Sequence, residues 1–320
     1  MRGRLGVGVD TGGTFTKIVA VTPTGRAVRE RQIPTEAEAG PGPFVRRVAA
    51  AVGELERELG RRARGIGLGL AGDVDSARGR LRFSPNLRRF SGYPLRDALA
   101  RATGRKVLVE NDANMAAWGG YVVELKRRAR NVVAVSMGTG IGGGLVLDGR
   151  LYHGSTGSAA ELGHTRVDDG GERCNCGARG CVEAYAGSYG IVRTALRLIR
   201  GRSSLIKGLC PDLRRLEPRL IAEAAAQGDA AAREVWEETG RRLGLAITNA
   251  VYLLNPDVVL IVGGVSRAGR LILDPVERVL RRQPFRTPFS HVQVRIARTP
   301  NLGAVGAGLL ALESLRAERR

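Results

Sequence analysis

A histidine and three cysteines are grouped in the middle of this chain with the spacing of a metal site. Three of the four cysteines fall within eight residues, and His164 precedes the first of them by ten residues. Three thiolates and one imidazole form a ligand set that tetrahedral Zn²⁺ takes readily, and a closed set of four leaves no open position for a substrate. We therefore predict a structural zinc site with the ligands His164, Cys174, Cys176 and Cys181.

Chance clustering and a disulfide are the alternatives to this zinc site. Cys174 and Cys176 flank a single residue, which is too short a separation for an easy disulfide between them. Nothing in the chain marks it as secreted, and disulfides persist mainly in secreted proteins. Gly177 and Gly180 lie inside the cluster and permit the tight turn that brings the thiolates together. The fourth cysteine, Cys210, is expected to be a free thiol.

Two carboxylates flank the cysteine cluster. Glu161 lies three residues before His164, and Glu183 lies two residues after Cys181. A metal ion at the cluster would hold both carboxylates in fixed places, as a site for a sugar or a phosphate requires. The cluster is therefore expected to shape a binding site as well as to fold the loop.

Three glycine turns follow apolar segments and are candidates for nucleotide binding. Such a turn exposes backbone N–H groups that can hold phosphate, and the aspartate of the first turn can hold Mg²⁺ directly or through water. The third turn offers bare backbone on which an adenine could rest. A plain hairpin turn explains each of them equally well alone, and only the three together favour nucleotide binding. The residues of these turns are Asp10, Gly12, Gly13, Thr14, Lys17, Gly138, Thr139, Gly140, Gly263 and Gly264.

Asp112 stands where a predicted strand gives way to a predicted helix. It is either a helix N-cap, which stabilises by about 1 kcal/mol, or a general base at the mouth of a binding site. The residues Glu110-Asn111-Asp112 by themselves do not separate these two interpretations. Asn86, in the segment Ser84-Pro-Asn86, belongs to a polar loop.

The elements that must position these residues alternate between strands and helices, which indicates an α/β fold. A strand, a glycine turn and a returning strand occupy residues 5–21, and the same pattern recurs about 125 residues later at 132–147, which suggests an internal duplication. The predicted strands are 5–9, 17–21, 66–70, 107–109, 132–136, 145–147, 258–262 and 292–296. The predicted helices are 45–59, 95–102, 112–125, 183–200, 219–226, 230–254, one from about 268, and 303–315.

The net charge of +20 invites a nucleic-acid hypothesis. The basic residues are spread along the whole chain, and almost all of them are arginine, as a compositional bias would produce. An anionic substrate such as a nucleotide fits the charge equally well, so we expect no nucleic-acid partner. Nothing reads as a signal peptide, and polar residues interrupt the apolar stretch 243–262, so no membrane span is expected there. We expect a cytoplasmic protein.

The chain closely resembles the ROK family of sugar kinases, relatives of hexokinase and actin. The resemblance covers nearly the whole chain. It rests on Asp10-x-Gly-Gly-Thr14, Glu110-Asn-Asp-Ala-Asn114, Gly138-Thr-Gly140, Glu161-Leu-Gly-His164 and Cys174-x-Cys-Gly-x-x-Gly-Cys181-x-Glu183. It implies two ribonuclease-H-like domains flanking a cleft. The expected domains are residues 1–117, completed by the helix 303–320, and residues 118–302, with a zinc-binding insertion at 161–183.

The resemblance also implies roles for single residues. Asp112 is similar in place to the catalytic base of the family. The resemblance also implies that His164 serves both the metal and the sugar, one through each ring nitrogen. Ala71 and Ala160 depart from the family, which often has proline and glycine there, and both departures bear on the choice of sugar. The implied sugar-binding residues are Asn86, Asn111, Asp112, Glu161, His164 and Glu183.

The resemblance predicts ATP-dependent phosphorylation of a hexose, most simply glucose, at its 6-hydroxyl, with Mg²⁺ at the phosphates and structural Zn²⁺. A homo-oligomer, dimer or tetramer, is expected. The alternatives are a kinase for fructose, mannose or an N-acetylhexosamine, and a glucokinase that uses polyphosphate. A further alternative is a sugar-responsive repressor, which we disfavour because repressors of the family carry an added N-terminal helix-turn-helix domain and the first phosphate strand here begins by Leu5.

Overall fold

A computed structural model describes residues 4–317 of the chain. These residues divide into two compact units. The first comprises the chain up to Arg130 together with Gly144–Ala159 and the segment from Arg298 onward, and the second comprises Asn131–Gly143 and Ala160–Ala297. The predicted domain bounds, 1–117 with 303–320 and 118–302, differ from this division and stay a prediction. Residues 1–3 and 318–320 of the predicted domain lie outside the described residues.

The predicted α/β class is confirmed, since strands and helices alternate along the chain. The strands are β1 Gly6–Thr11, β2 Phe15–Val21, β3 Ala27–Pro34, β4 Gly65–Leu70, β5 Asp73–Asp75, β6 Arg80–Phe83, β7 Lys106–Asn111, β8 Val132–Met137, β9 Ile141–Leu147, β10 Arg150–Tyr152, β11 Val258–Val262 and β12 Gln293–Ile296. The helices are α1 Pro41–Leu59, α2 Leu95–Thr103, α3 Asp112–Val123, α4 Glu183–Ala186, α5 Ser188–Leu198, α6 Leu205–Leu209, α7 Pro218–Ala226, α8 Ala230–Leu254, α9 Arg270–Arg281 and α10 Leu302–Ala317.

Two five-stranded sheets have matching strand orders, which agrees with the internal duplication seen in the sequence. The orders are β3-β2-β1-β4-β7 and β10-β9-β8-β11-β12. In the first sheet β1 runs antiparallel to β2 and parallel to β4, and β4 runs parallel to β7. In the second sheet β11 runs parallel to both β8 and β12. Parallel neighbours end at the same edge of a sheet, so the loops after β1, β4 and β7 meet there, as do those after β8 and β11.

Several sequence-based bounds need correction. The helix predicted at 183–200 is two helices, because Gly187 adopts an extended conformation (φ −72°, ψ 156°) between α4 and α5. The helix expected from about 268 begins at Arg270, after Gly269 in a left-handed conformation. Strand β3 was missed because its side chains are largely exposed at the sheet edge and show no apolar alternation. Short strands β5 and β6 were missed as well.

Helix α10 packs against β1, β4 and α3 at backbone-to-backbone distance. A Cβ added to Gly8 would lie 1.7 Å from the carbonyl oxygen of Ala304, and one added to Gly306 would lie 1.8 Å from that of Met115. Only glycine fits such contacts. The small residues of the last helix therefore fix the strand and the helix that carry Asp10 and Asp112.

Within residues 4–317, no helix has both the length and the apolar character required to cross a membrane.

Candidate active site and metal centre

Asp112 begins helix α3 directly after β7, but the helix cap is its neighbour. The side-chain oxygen of Asn111 accepts hydrogen bonds from the backbone N–H groups of Ala113 and Asn114, at 2.9 and 3.0 Å. The N-cap interpretation of Asp112 is therefore wrong. The Asn111 amide also donates to the carbonyl of Gly72 at 3.0 Å. These bonds hold Asn111 as a structural brace that positions Asp112.

Behind this junction lies a buried carboxylate that the sequence interpretation missed. Glu110 is 5% exposed. One of its oxygens accepts from the backbone N–H of Asn111 at 2.8 Å and from the Asn114 amide at 3.1 Å. The other lies 2.7 Å from Nε2 of His153. Burial alone would raise the pKa of Glu110, but the hydrogen bonds from His153, Asn114 and Asn111 outweigh it and lower the pKa below its ordinary value.

Asp10 lies at the same sheet edge as the Asp112 junction. It pairs in register with Gly69 on β4, which in turn pairs with Glu110 on β7, so two strand spacings of about 4.8 Å separate Asp10 from Glu110. A Cβ on Gly303 would lie 2.7 Å from a carboxylate oxygen of Asp10, so the start of α10 comes close to that side chain only because residue 303 is glycine. Burial raises the pKa of Asp10, while the charge of Lys17 opposes this.

The turn after β1 is held from within the same unit. The N–H of Gly12 donates to the carbonyl of Phe15 at 3.0 Å, and the Gly12 carbonyl accepts from the hydroxyl of Thr35 at 2.8 Å. The N–H of Gly12 is thus used within the turn, and the phosphate-binding role of Gly12, Gly13 and Thr14 stays a prediction. A Cβ on Gly13 would meet Asn86 at 3.4 Å, so this predicted sugar ligand lies beside the predicted phosphate turn.

In the second unit, the other two glycine turns follow neighbouring parallel strands. Gly263 has φ +100°, and a Cβ there would lie 2.3 Å from the carbonyl oxygen of Met137, at the end of β8. Gly264 has no neighbouring atom within 4 Å of an added Cβ, and the same is true of Gly138. Gly263 therefore serves packing, whereas Gly264 and Gly138 border open space.

Glu183 connects the 138–140 turn to the cysteine cluster. One carboxylate oxygen accepts from the N–H of Ile141 at 3.0 Å, and the other lies 3.5 Å from Sγ of Cys174. A Cβ on Gly140 would overlap this carboxylate at 2.2 Å. The turn is also braced from α5, since the N–H and hydroxyl of Ser188 donate to the Gly138 carbonyl at 3.0 and 2.7 Å. Thr139, between the two glycines, is exposed.

The four predicted zinc ligands come together. One ligand atom from each of them lies within 4.8 Å of every other. Nδ1 of His164 is 3.8 Å from Sγ of Cys174, and the sulfurs of Cys176 and Cys181 are 3.8 Å apart. A tetrahedron with Zn–S bonds of about 2.3 Å has edges of about 3.8 Å. The donor set therefore fits Zn²⁺ in both chemistry and spacing.

The backbone around the cysteines is shaped by glycine, as predicted. Gly177 has φ +94° and Gly180 has φ +77°, and a Cβ on Gly180 would lie 1.7 Å from the carbonyl of Asp168. Burial raises the pKa of the Cys174 thiol to about 12, so a metal ion is needed to hold it as a thiolate. The predicted free thiol of Cys210 is confirmed, and it is buried.

A second support of the metal loop was not visible in the sequence. A carboxylate oxygen of Asp168 accepts from the hydroxyl of Tyr185 at 2.8 Å and lies 2.9 Å from the guanidinium of Arg242 on α8. Arg242 also lies over the Tyr185 ring, 4.4 Å from its centre. These contacts tie the loop to helix α8.

One of the two departures, Ala160, falls at a strained backbone position, and the other, Ala71, adjoins a glycine of positive φ. Ala160 adopts φ +70°, a conformation that glycine reaches freely and alanine reaches at about 1–2 kcal/mol. Gly72, next to Ala71, has φ +123° and a carbonyl that binds Asn111. Glu161 follows the strained Ala160, and its carboxylate lies 3.9 Å from Nε2 of His164. The histidine thus presents one nitrogen to the cysteines and the other toward Glu161.

Known proteins are similar to this chain in fold and in sequence. The glucokinase of Thermotoga maritima is 38% identical over 272 residues, which is 84% of this chain and 85% of that enzyme. A ROK family glucokinase from Streptomyces griseus, crystallised with glucose and AMPPNP, has a TM-score of 0.86 and 34% identity, covering 97% of this chain and 99% of the other. The xylose repressor of Caldicellulosiruptor bescii is 26% identical over 78% of this chain, and the match spans 62% of the repressor.

The likeness to the glucokinase structure confirms the predicted hexokinase-type fold of two sheet-and-helix domains. The sequence pattern of the ROK family matches residues 6–314. Because the match runs through nearly every element described above, this protein belongs to the ROK family.

Proposed function

We propose that this protein is a kinase that transfers the γ-phosphate of ATP to the 6-hydroxyl of a hexose, and that the hexose is glucose. The observation that carries the proposal is the likeness, over 97% of the chain, to a glucokinase crystallised with glucose and an ATP analogue. The geometry around Asp112 supports it, because this carboxylate stands at the start of a helix whose N-cap, Asn111, is itself bound to the Gly72 carbonyl, and a carboxylate fixed in place is a suitable general base.

In the proposed mechanism Asp112 orients the sugar hydroxyl and takes its proton late. Phosphoryl transfer passes through a loose transition state, so the hydroxyl keeps its proton until the new bond is well formed. Backbone N–H groups of Gly13, Thr14, Thr139 and Gly140 stabilise charge on the phosphates. The N–H of Gly138 is used within its own turn, where it donates to the Gly140 carbonyl at 3.0 Å. Asp10 would hold Mg²⁺, a cation that neutralises phosphate charge when bound, because carboxylate oxygens are the donors that this ion prefers.

Sugar recognition is assigned to four polar side chains, those of Asn86, Asp112, Glu161 and His164. Asn111 and Glu183 already bind backbone groups, so we assign them a positioning role in addition to any contact with the sugar. A site that hydrogen-bonds several hydroxyls rejects analogues lacking one, since buried partners are then left unpaired.

The two glycines after β11 give a paired test of the proposed adenine position. Gly263→Ala should leave little folded protein, because the methyl group meets the Met137 carbonyl and the positive φ is strained. In Gly264→Ala the added methyl group meets open space, and residue 264 already has a helical conformation. The free energy of unfolding should therefore change by less than about 0.5 kcal/mol. If adenine packs on this backbone, Gly264→Ala raises the KM for ATP about tenfold with the KM for glucose unchanged. An unchanged KM for ATP contradicts the assignment.

A coupled assay of sugars against ATP and polyphosphate tests the function as a whole. Glucose with ATP should give the highest kcat/KM, and 2-deoxyglucose, mannose and fructose clearly lower values. A tenfold preference for N-acetylmannosamine or fructose would refute glucose and retain phosphoryl transfer. A preference for polyphosphate would correct the donor. Absence of turnover with every sugar and both donors would refute the kinase and favour the repressor-like alternative. The homo-oligomer and the cytoplasmic location stay predictions, the first to be checked by sedimentation.

A further inference from the structure

Glu110 is a buried carboxylate immediately before the proposed base, and the mechanism above does not use it. Its Oε1 atom accepts from the N–H of Asn111 and from the Asn114 amide, which are a turn apart on the segment that begins α3. Its Oε2 atom lies 2.7 Å from Nε2 of His153. One carboxylate thus connects the brace and the first turn of the helix to a side chain on the segment that follows β10.

A buried carboxylate is stable as an anion only when hydrogen bonds and an opposite charge replace water. Asn111 and Asn114 supply neutral donors, and His153 is the donor that can also carry a positive charge. The His153 imidazole is half-buried, with a side chain 40% exposed, so it exchanges protons with solvent, whereas the Glu110 side chain is only 7% exposed.

We propose that His153 is a positioning residue for phosphoryl transfer, which acts through Glu110 to hold the Asn111–Asp112 junction. The proposal rests on the proposed function, because it concerns the alignment of Asp112. The charged imidazole fixes the Glu110 carboxylate, Glu110 fixes the backbone and side chains of the first turn, and Asn111 caps the helix that Asp112 begins.

The direction of the pH dependence follows from the pair. The hydrogen bond to Glu110 raises the pKa of His153 above its ordinary value, against a smaller lowering by burial. The imidazolium form is therefore present below that raised pKa and is lost as pH rises through it. Kinase activity should therefore carry a matching decline on the alkaline side.

Other charged groups lie on the elements around the His153–Glu110 pair. The charged residues whose partners are described pair with residues other than His153. Asp75 pairs with Arg78 and Arg82, and Arg82 also binds Asp73 and the Thr156 carbonyl. The remaining charged residues on β7, α3, β10 and α10 are Lys106, Asp112, Arg150, Glu313 and Arg316. Glu110 is the group that acts on the His153 pKa.

A histidine NMR titration tests the pair without any turnover. The chain has three histidines, and His153→Gln identifies the signal of interest. Wild-type His153 should titrate above the ordinary value of about 6.5, and Glu110→Gln should lower its pKa to that value or below, because the lowering by burial then remains without the opposing charge. A wild-type His153 that titrates at the ordinary value, or a titration that Glu110→Gln leaves unchanged, overturns the proposal.

Kinetics test the positioning role. His153→Gln keeps a hydrogen-bonding side chain but cannot take up a proton, so kcat near pH 7 should fall about tenfold, a part of the general-base contribution of about 10² to 10⁴. The KM for sugar should change less than twofold, and the alkaline decline of kcat should disappear. His291→Gln, at an exposed histidine of the second unit, is the matched control and should leave kcat and its pH profile unchanged.

A His153→Gln variant with wild-type kcat and the wild-type alkaline decline would refute the positioning role. If that variant does not fold, the pH profile of kcat in Glu110→Gln tests the same role, because the alkaline decline should disappear there as well. A wild-type chain that phosphorylates no sugar would refute the proposed function instead, and the NMR titration would still decide the state of the pair.

Discussion

Asp112→Asn should leave a folded protein that binds sugar with turnover reduced by about 10² to 10⁴, the usual contribution of a general base. An amide cannot take the proton of the attacking hydroxyl. The fold should hold, because the helix cap and its two hydrogen bonds belong to Asn111. The lost negative charge in the first turn of α3 should reduce the free energy of unfolding by about 0.3–1 kcal/mol. Steady-state kinetics and isothermal titration with glucose measure the two effects separately.

Asp97→Asn is the matched control for this variant. Asp97 lies in the first turn of α2 in the same unit, with its side chain half exposed and 3.1 Å from Nε of Arg96, so it reports the loss of a helix-terminal charge and of one exposed ion pair. It should lose comparable stability and keep wild-type kcat. A turnover of one third of the wild-type value in Asp112→Asn would remove Asp112 from the role of base.

Cys176→Ser should remove the bound zinc, from one ion per chain to nearly none, and should reduce activity at least tenfold. Cys176 is exposed, so the change leaves the buried core intact while a thiolate ligand is lost. Activity should fall because the same loop carries Glu161 and His164, and because Glu183 contacts Cys174. Loss of a group that supports a site typically reduces activity by about 10–100-fold. Elemental analysis and kinetics on the same sample measure both quantities.

Cys210→Ser is the matched control, because Cys210 is the cysteine outside the cluster. It should keep one zinc per chain and most of the activity. Chelation of the wild-type protein should reproduce the Cys176→Ser defect, and added Zn²⁺ should restore activity. A purified wild-type protein that holds no metal and is fully active would show that the zinc hypothesis is wrong.

Short-range spacing carried much of what the sequence predicted. The cysteine cluster, the glycine turns and the period of α1 each depend on residues within about one element, so local conformation is enough to predict them. The boundary between α4 and α5 was missed because a single glycine in an extended conformation breaks an otherwise helical pattern. The edge strand β3 was missed because its exposed polar residues carry no burial pattern.

The sequence by itself also determined the α/β class and the candidate residues of the site. Only the tertiary structure decided which other residues form hydrogen bonds and contacts with these site residues. Glu110 meets His153 across 43 residues, and Glu183 meets Ile141 across 42. Gly303 comes within contact of Asp10 only because α10 packs onto β1 through glycine. Such contacts follow from how sheets and helices pack, and no local spacing encodes them. The N-cap of α3 shows the same limit. Asn111 and Asp112 are both residue types that cap helices, and the backbone geometry makes Asn111 the cap.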